Sequence, residues 1–490
     1  MKKELWYEKK IPGDYRELSE RYKVSPVMAR LLVNRITDGQ SRTIPEPEQV
    51  REYLSPDITR ICSYKKLPDI EKCTDILSRM TAGGKRIRVI GDYDIDGVCS
   101  TYILTRGLIK AGARADHAIP HRITDGYGLN ERLIREAYQA GTDCIITCDN
   151  GISAAGQIKL ARELGMTVIV TDHHEVPYHM DGEIRVEELP EAEAVVDIKR
   201  HDSLYGFTEI CGAQIAFKVI AALYEKLGLP ISETEEFIEF AAFAAIGDIM
   251  PLINENRALV SEGLKRLTAT SNPGMRALIK AQGIKDTSLR PYHVGFVLGP
   301  CVNATGRLAT ADNAFELLVS ETPREAEKLA DMLVAMNNDR KEMTEKGTKR
   351  ALEQAEESDM VNDRVMVIYL PDMHESVAGI IAGRVREQTG KPSFVLTDGE
   401  NGIKGSGRSI EEYDMYAAMT EVSDLFEKYG GHKMAGGLSL KEGVKPELLR
   451  QRLNDSCTLT EHDLTEKIHF DLVLPFSYVN MELAEDIDRM

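Results

Sequence analysis

Three aspartates spaced two residues apart are the first chemically informative feature of the chain. The segment VIGDYDIDGVCS (89–100) contains Asp92, Asp94 and Asp96, and Gly97 directly follows the third carboxylate. Carboxylates held this close repel one another, so folding them together is unfavourable unless cations lie among them. The spacing therefore predicts a site for divalent cations.

A calcium-binding EF-hand loop is an alternative interpretation, because such loops also begin with the pattern D-x-D-x-D-G. Counting from Asp92, Gly97 falls at the required sixth position, but the twelfth position is Ile103, where a bidentate glutamate is needed. An EF-hand loop also follows a helix, whereas Asp92 follows an apolar segment typical of a strand. We therefore reject the calcium loop.

The acids follow short apolar segments that alternate with helical patterns along the chain. This alternation predicts an α/β fold with a doubly wound, mostly parallel sheet. The predicted strands are RIRVI (86–90), CIITC (144–148), TVIVT (167–171) and AVVDI (194–198). Ligands of such sheets bind at the carboxyl ends of the parallel strands, so we expect the site there.

Acidic or imidazole side chains follow these strands and one helix. Asp149 follows the second strand, His173 and His174 follow the third with Asp172, and Asp248 follows the apolar helical segment FAAFAAIG. Each alone is more simply explained as a helix cap or a surface residue. Together, carboxylates and imidazoles without cysteine suit Mn²⁺ or Mg²⁺ better than zinc. Enough ligands are present for two ions, which predicts metal-assisted phosphoester hydrolysis.

Length and composition predict a globular protein of two or three domains, since 490 residues exceed one ordinary core. No apolar run approaches the roughly 18 residues of a membrane span, and the start lacks a signal-peptide pattern, so we expect a cytoplasmic protein. The eight cysteines include no CxxC pair, which argues against a disulfide framework and a zinc ribbon. The protein has a net charge of -18, which repels nucleic acid. A nucleic-acid partner would therefore have to bind in a local basic channel or through bound metal.

Five segments are predicted along the chain. They are a helical N-terminal lead-in (1–75), the α/β domain with the acids (76–320), a connecting helix (321–360), a smaller α/β domain (361–460) and a C-terminal segment (461–490). The connecting helix is predicted to begin after Thr322, because Pro323 suits the first helical position and Glu325 completes a capping box.

The motifs GDYDIDG, DNG, TDHH and GDIMPL occur in this order, and in this the chain resembles the DHH phosphoesterase superfamily and, within it, the RecJ exonucleases. Further segments also resemble RecJ, namely PHRITDGYGL, GPCVNATGRL, HESVAGIIAGR, GSGRS and GGHKMAGG. The resemblance covers roughly residues 75–490. It implies a DHH domain at 76–320 and a DHH-associated, substrate-binding domain at 361–460.

The resemblance assigns a role to each candidate side chain. It implies that the metal ligands are Asp92, Asp94, Asp96, Asp149, His173 and Asp248. His174 would complete the catalytic set by facing the scissile phosphate, where it stabilises developing charge. The implied substrate-binding residues are Arg122, Asn303, Arg307, Ser406, Arg408 and His432. Among these, the arginines and Ser406 would form a pocket for a 5′-terminal phosphate.

RecJ-like enzymes degrade single-stranded DNA from the 5′ end to mononucleotides, using Mn²⁺ or Mg²⁺, during recombination and repair. The resemblance implies the same activity here, on single-stranded DNA with a 5′ phosphate, by a monomer. Candidate partners are a single-stranded-DNA-binding protein and a helicase. Two alternatives remain, a DHH phosphodiesterase that cleaves short RNAs or cyclic dinucleotides, and a catalytically inactive DHH-fold scaffold that binds DNA.

The C-terminal segment resembles the start of a further domain. RecJ proteins usually continue into an OB-fold that binds single-stranded DNA, and residues 461–490 resemble the lead-in to that fold. An OB-fold supplies aromatic stacking surfaces and a basic groove. We therefore expect these 490 residues to bind DNA less tightly, and less processively, than a RecJ protein with its OB-fold.

Overall fold

The computed structural model describes residues 4–37, 43–182, 184–285, 288–357, 359–399 and 402–490. These residues form two compact units, a larger one built mainly from Ile44–Asn337 and a smaller one built mainly from Asn338–Ala484. Among the described residues, every helix is too short or too polar to cross a membrane. All eight cysteines are described, and none forms a disulfide.

The strands are numbered in chain order. They are β1 (Glu4–Glu8), β2 (Arg86–Ile90), β3 (Arg114–Ala118), β4 (Cys144–Cys148), β5 (Thr167–Asp172), β6 (Tyr178–Asp181), β7 (Ile184–Glu187), β8 (Ala194–Asp197), β9 (Met366–Tyr369), β10 (Ser393–Gly399), β11 (Gly402–Arg408), β12 (Phe426–His432), β13 (Ala435–Leu440) and β14 (Glu466–Phe470).

The α-helices are numbered in the same way. They are α1 (Tyr15–Tyr22), α2 (Pro26–Ile36), α3 (Pro47–Leu54), α4 (Ile70–Ala82), α5 (Ile95–Lys110), α6 (Glu131–Gln139), α7 (Ala155–Glu163), α8 (Gly212–Leu227), α9 (Ile238–Gly247), α10 (Asn254–Thr268), α11 (Pro273–Ala281), α12 (Gly299–Leu308), α13 (Asp312–Val319), α14 (Pro323–Glu357), α15 (Glu375–Thr389), α16 (Met415–Glu421), α17 (Pro446–Asp455) and α18 (Met481–Asp488). A π-helical turn, His293–Leu298, leads directly into α12.

A five-stranded parallel sheet forms the centre of the larger unit, in the order β3-β2-β4-β5-β8. The predicted fold class is confirmed, and the four predicted strands correspond to β2, β4, β5 and β8. Strands β4 and β8 are buried throughout. Parallel strands covered on both faces appear in a sequence as continuous apolar runs, which is why these four could be recognised.

Strand β3 was not predicted. It lies at the edge of the sheet and, among the described strands, pairs only with β2. Its residues RADHA are at most partly buried. Because this edge strand has one neighbour and partial cover, it carries no apolar run that would mark it in the sequence.

The smaller unit contains a second five-stranded sheet, in the order β12-β13-β11-β10-β9. Strands β9 and β10 pair in parallel, and the remaining pairs are antiparallel. The two glycine-rich segments of the sequence are strands in this sheet, since IKGSGRS lies in β11 and YGGHKMAGG spans β12 and β13.

The N-terminal segment differs from the expected helical lead-in. It contains α1, α2, α3 and part of α4, but it begins with β1, which pairs in parallel with β14 near the other end of the chain. Because the partner of β1 is so distant in the sequence, the five residues of β1 themselves were the only local signal for this strand. The predicted cap of the long helix α14 is present, since the Glu325 backbone N–H donates to Thr322 Oγ1 at 3.3 Å.

Candidate functional site

The carboxyl ends of β2, β4 and β5 carry the acids and imidazoles to one rim of the parallel sheet. Asp92 follows β2, Asp149 follows β4, and His173 follows β5. Asp94 caps α5, because its Oδ1 accepts hydrogen bonds from the backbone N–H groups of Asp96 at 3.0 Å and Gly97 at 3.1 Å. The DxDxDG segment is therefore a strand-to-helix turn, as its position after β2 predicted.

His173 lies among three of the predicted ligands. Its Nε2 atom is 3.1 Å from Asp149 Oδ1, 3.6 Å from Asp96 Oδ2 and 3.8 Å from Asp248 Oδ2. Side-chain ligand atoms within 4.8 Å of one another form three groups, Asp149–His173–His174, Asp96–His173–Asp248 and Asp92–Asp94–Asp149. The structure thus brings together all six residues that the sequence proposed as metal ligands.

Burial and mutual repulsion govern the protonation of these acids. Burial, followed by neighbouring carboxylates, raises the pKa of Asp92 and of Asp149 well above the usual range. The same two causes raise the pKa of Asp248 to about 8, and its buried Oδ2 accepts no hydrogen bond from the described residues. Burial lowers the pKa of His173, which favours the neutral imidazole that can bind a metal. These properties fit divalent cations as the missing positive charge.

The N-terminus of α8 holds Asp96, a feature that the sequence reasoning missed. The backbone N–H of Gly212 donates to Asp96 Oδ2 at 2.6 Å, and that of Ala213 donates to Oδ1 at 2.8 Å. The positive end of a helix dipole favours a carboxylate at this position. A Cβ atom at Gly212 would lie 2.8 Å from the Asp149 Cβ and 3.0 Å from Asp96 Oδ2. Only glycine therefore allows α8 to approach both acids.

We expect Gly212→Ala to lower the hydrolytic rate about 10- to 100-fold, because the added methyl group displaces Asp149 or the start of α8 by some tenths of an ångström. The matched control is Gly156→Ala in α7, where an added Cβ meets no atom within 4 Å. Rates of oligonucleotide hydrolysis at saturating metal measure the effect. Equal rates for the two variants would contradict it.

His174 occupies a different environment from His173. Its Nδ1 is 2.8 Å from Asp172 Oδ1. Although burial opposes protonation, this hydrogen bond and the Asp172 charge raise the pKa of His174 to about 9. Tyr127 O–H donates to the Asp149 carbonyl oxygen at 2.9 Å and lies 3.3 Å from His174 Nε2. His174 is thus an oriented cation at neutral pH, whereas His173 is neutral.

Asp172 and Asn150 are further positions whose roles the sequence reasoning did not assign. Asp172 accepts hydrogen bonds from the backbone N–H groups of Ile152 at 2.9 Å and His173 at 2.8 Å. The buried Asn150 amide donates to the Ile90 carbonyl at 3.1 Å, and its oxygen accepts from Leu129 N–H at 3.2 Å. Asn150 lies in the DNG motif and Asp172 lies in the TDHH motif. Membership of these motifs was the only sequence signal that pointed to either residue.

Asp197, at the end of β8, is opposite Asp172 in the sheet and is fully buried. Burial and the Asp172 charge raise the pKa of Asp197 to about 8, and its Oδ2 has no hydrogen-bond partner among the described residues. The folded state therefore retains this proton up to about pH 8, whereas the unfolded chain releases it near pH 4. The free energy of unfolding consequently falls as pH rises through that window.

We expect Asp197→Asn to remove this penalty and to stabilise the protein by about 2–5 kcal/mol at pH 8, with little effect near pH 4. Urea unfolding in EDTA at several pH values measures the difference between variant and parent. A difference that stays constant from pH 4 to pH 8 would show that the Asp197 proton is not responsible.

Three of the proposed substrate-binding residues lie in the larger unit. Asn303 Oδ1 accepts from the Ile95 backbone N–H at 2.8 Å, so this oxygen holds the acidic loop in place. The Arg122 guanidinium carbon is 4.7 Å from the ring centroid of Tyr93. Arg307, on α12, acts electrostatically on the same tyrosine hydroxyl. Both arginines therefore act on Tyr93, which lies within the acidic loop.

The other three proposed substrate-binding residues lie in the smaller unit. Ser406 and Arg408 are two residues apart on β11, so their side chains share a face of the sheet. A Cβ atom at Gly379 of α15 would lie 3.0 Å from Arg408 Nη2. His432 and Arg408 both pair with Ala435 of β13. Ser406, Arg408 and His432 thus belong to the smaller unit, whereas the acids belong to the larger unit.

The sequence matches two known domain families. Residues 86–247 match the DHH family, N-terminal domain, and residues 362–458 match the DHHA1 domain. The first match contains β2 to β8 with five of the six proposed metal ligands, and the second contains the sheet of the smaller unit.

Two proteins with curated descriptions are similar along most of the chain. The single-stranded-DNA-specific exonuclease RecJ of Bacillus subtilis (strain 168) is 34% identical over 479 residues, which cover 97% of this chain and 58% of that protein. RecJ of Escherichia coli (strain K12) is 32% identical over 455 residues, which cover 89% of this chain and 77% of that protein. The chain thus spans less than two thirds of the first relative and more than two thirds of the second.

The structure is also similar to solved RecJ structures. RecJ from Thermus thermophilus in complex with Mn²⁺ superposes with a TM-score of 0.80 at 29% identity, covering 99% of this chain and 67% of that one. The Mg²⁺ complex of the same protein gives a TM-score of 0.74 at 28% identity and covers 99% of this chain and 66% of that one.

Proposed function

The chain belongs to the RecJ family of exonucleases, and on that premise we propose that it degrades single-stranded DNA from the 5′ end to mononucleotides. The observation that carries this proposal is the buried convergence of Asp92, Asp149 and His173 at three strand ends, with Asp248 beside them. Burying several acids together is costly unless cations balance them, which supports a metal-dependent hydrolase.

Six residues would hold two Mn²⁺ or Mg²⁺ ions, namely Asp92, Asp94, Asp96, Asp149, His173 and Asp248. The Oδ2 atom of Asp248, which has no hydrogen-bond partner among the described residues, and the neutral imidazole of His173 fit such ions. The solved complexes of the Thermus relative with Mn²⁺ and with Mg²⁺ also support this choice of ions. When bound, such ions polarise water and phosphate oxygens in phosphoester displacement. The two backbone N–H groups at the N-terminus of α8 fix the orientation of the Asp96 carboxylate.

His174 binds the scissile phosphate in this proposal. Its hydrogen bond to Asp172 keeps the imidazole protonated at neutral pH and fixes the ring, while Tyr127 limits its rotation from the other side. A positioned cation stabilises the negative charge that grows on the phosphate oxygens in the transition state. Asp172 thus acts through His174 as a positioning residue.

The arginines bind the phosphates of the DNA strand. Arg122 and Arg307 offer planar, permanently charged donors near Tyr93 of the acidic loop. In the smaller unit, Ser406 and Arg408 on β11 and His432 on β12 offer hydroxyl, guanidinium and imidazole donors on the two strands that flank β13. These groups suit a terminal 5′ phosphate and the phosphates next to it.

The activity serves recombination and repair in the cytoplasm, by a monomer that meets a single-stranded-DNA-binding protein and a helicase. Family membership supports the single-stranded DNA substrate of this proposal, since the curated relatives are named for it. The chain covers only part of the B. subtilis relative, so substrate affinity and partners belong to the proposal as well.

End-labelled oligonucleotides test the proposed function directly. A single-stranded DNA with a 5′ phosphate is labelled at either end and incubated with Mn²⁺, Mg²⁺ or EDTA. We expect labelled mononucleotide to appear first from the 5′ label, only with metal, and much more slowly from a blunt duplex. Earlier release from the 3′ label would overturn the direction of digestion.

Two further substrates separate this proposal from its alternatives. Faster cleavage of a short RNA or a cyclic dinucleotide than of DNA would replace the exonuclease by a small-substrate phosphodiesterase. DNA binding without cleavage, with either metal, would replace it by an inactive scaffold. Asp149→Asn serves as the inactive control in both assays, since it changes one proposed ligand of the metal site.

A further inference from the structure

Two aromatic rings are exposed on the helix that adjoins the acidic loop. Tyr292 is 62% exposed and Phe296 is 70% exposed. Their ring centroids are 5.3 Å apart and their planes are inclined by 24°, so the two rings stack on each other and remain open to solvent. Large apolar side chains that stay exposed as a pair point to an interaction surface.

This ring pair lies at the start of a continuous helix that contacts the metal-site loop. Phe296 is in the π-helical turn that leads into α12, and such turns occur often at functional sites. A Cβ atom at Gly299, three residues later, would lie 3.2 Å from Ile95 Cδ1. Ile95 lies between Asp94 and Asp96, so less than one helical turn separates Phe296 from a residue that touches the acidic loop.

The end of α9 meets the same turn. A Cβ atom at Gly295 would lie 3.8 Å from Ile246 Cγ2, two residues before Asp248. Ile249, directly after Asp248, is 88% exposed and has a left-handed backbone with φ of 60°. A β-branched residue in this conformation is strained, and strain of this kind persists mainly at functional sites. A third apolar side chain is therefore exposed directly after Asp248, a proposed metal ligand.

The chemistry of the surface favours nucleobases as its occupant. Unpaired bases of a single strand present flat, neutral π faces, which stack on aromatic side chains regardless of sequence. The bases of a duplex are already stacked on one another and cannot do so. A docked protein segment could also use the two rings, but it would need further apolar contact area around them.

We propose that Tyr292 and Phe296 form a stacking subsite for the bases of the single-stranded substrate as it passes the metal site, with Ile249 as a neighbouring apolar contact. This inference rests on the proposed function and adds to it a contact that selects unpaired bases. The subsite is independent of the phosphate-binding residues, because it contacts bases and carries no charge of its own.

A binding cycle with abasic oligonucleotides tests the subsite. A series of single-stranded oligonucleotides is prepared in which each carries one abasic site, at a position counted from the 5′ end. Each is titrated in EDTA with the parent protein, with Tyr292→Ala and with Phe296→Ala. Fluorescence anisotropy gives the Kd of each pair. We expect each alanine variant to bind the intact strand about 5- to 100-fold more weakly. At one or two adjacent positions, an abasic site should weaken the parent protein but not the variants.

Two further variants show whether stacking or apolar area is responsible. Phe296→Trp should restore affinity, while Phe296→Leu, which retains an apolar side chain without a π face, should bind as weakly as Phe296→Ala. Tyr138→Ala, which removes a 52% exposed ring from α6, is the matched control and should leave Kd unchanged. Circular dichroism and thermal unfolding establish that each variant is folded.

Specific results would overturn the inference. Identical abasic profiles for the parent protein and Phe296→Ala would show that no base stacks there, and full affinity of Phe296→Leu would show that only apolar area counts. Self-association that Phe296→Ala abolishes, with DNA affinity unchanged, would assign the surface to a second copy of the chain. A parent protein that neither binds nor cleaves single strands would instead refute the proposed function itself.

Discussion

Asp149→Asn is expected to lower hydrolysis of single-stranded DNA about 10³-fold or more and to abolish stabilisation by Mn²⁺. Asp149 contributes to two of the three groups of ligand atoms and contacts His173, so its loss affects the shared centre of the metal site. Asparagine is the appropriate replacement because Asp149 has a left-handed backbone with φ of 58°, which asparagine tolerates and alanine does not.

A thermal unfolding series with and without Mn²⁺ accompanies the rate measurement. The parent protein should unfold at a higher temperature with Mn²⁺, because a ligand that binds only the folded state stabilises it. In EDTA the variant should be at least as stable as the parent, since it loses a buried carboxyl whose pKa is raised by burial and neighbouring acids. Full activity, or an undiminished response to Mn²⁺, would remove Asp149 from the metal site.

His174→Gln is expected to lower kcat about 10²- to 10³-fold while stabilisation by Mn²⁺ is retained. The imidazole of His174 is protonated at neutral pH through its hydrogen bond to Asp172, so it suits a phosphate oxygen better than a cation. Glutamine retains a hydrogen-bond donor but not the positive charge. The variant therefore isolates the contribution of charge at the phosphate.

The same two measurements distinguish His174 from a metal ligand. Its ring nitrogens are close enough to Asp149 and His173 to join them around an ion. Loss of the Mn²⁺ response in His174→Gln, as in Asp149→Asn, would make His174 a ligand. His179→Gln is the control, because His179 is exposed on β6 and contacts Glu188, which is not one of the proposed metal ligands.

The elements that the sequence predicted well are those with a local physical cause. Strands β2, β4, β5 and β8 are buried parallel strands, and their apolar runs identify them within five residues. Helix α14 begins where Thr322 and Pro323 predict it, since a cap is formed by neighbours in the chain. Strands β1 and β3 lack such causes, because one depends on a partner at the far end of the chain and the other is an edge strand.

The candidate site divides in the same way. The types of the acids and imidazoles, and their positions after strands, predicted the metal site before any geometry was known, and the resemblance of the ordered motifs indicated the family. The roles of Gly212 and Tyr127 depend on distances between segments that are separated in the sequence. Composition and periodicity carry no information on such distances.

The sequence by itself determined the chemistry of this protein, because the spacing of Asp92, Asp94 and Asp96 after a strand is costly unless cations balance it. Only the tertiary structure decided the protonation and orientation of each group. Two adjacent histidines acquire opposite states, because burial lowers the pKa of His173, whereas at His174 the opposing effect of burial is outweighed by the hydrogen bond to Asp172 together with the charges of Asp172 and nearby acids. Those environments are produced by packing between β5, α8 and the loops around them, and a linear pattern does not encode them.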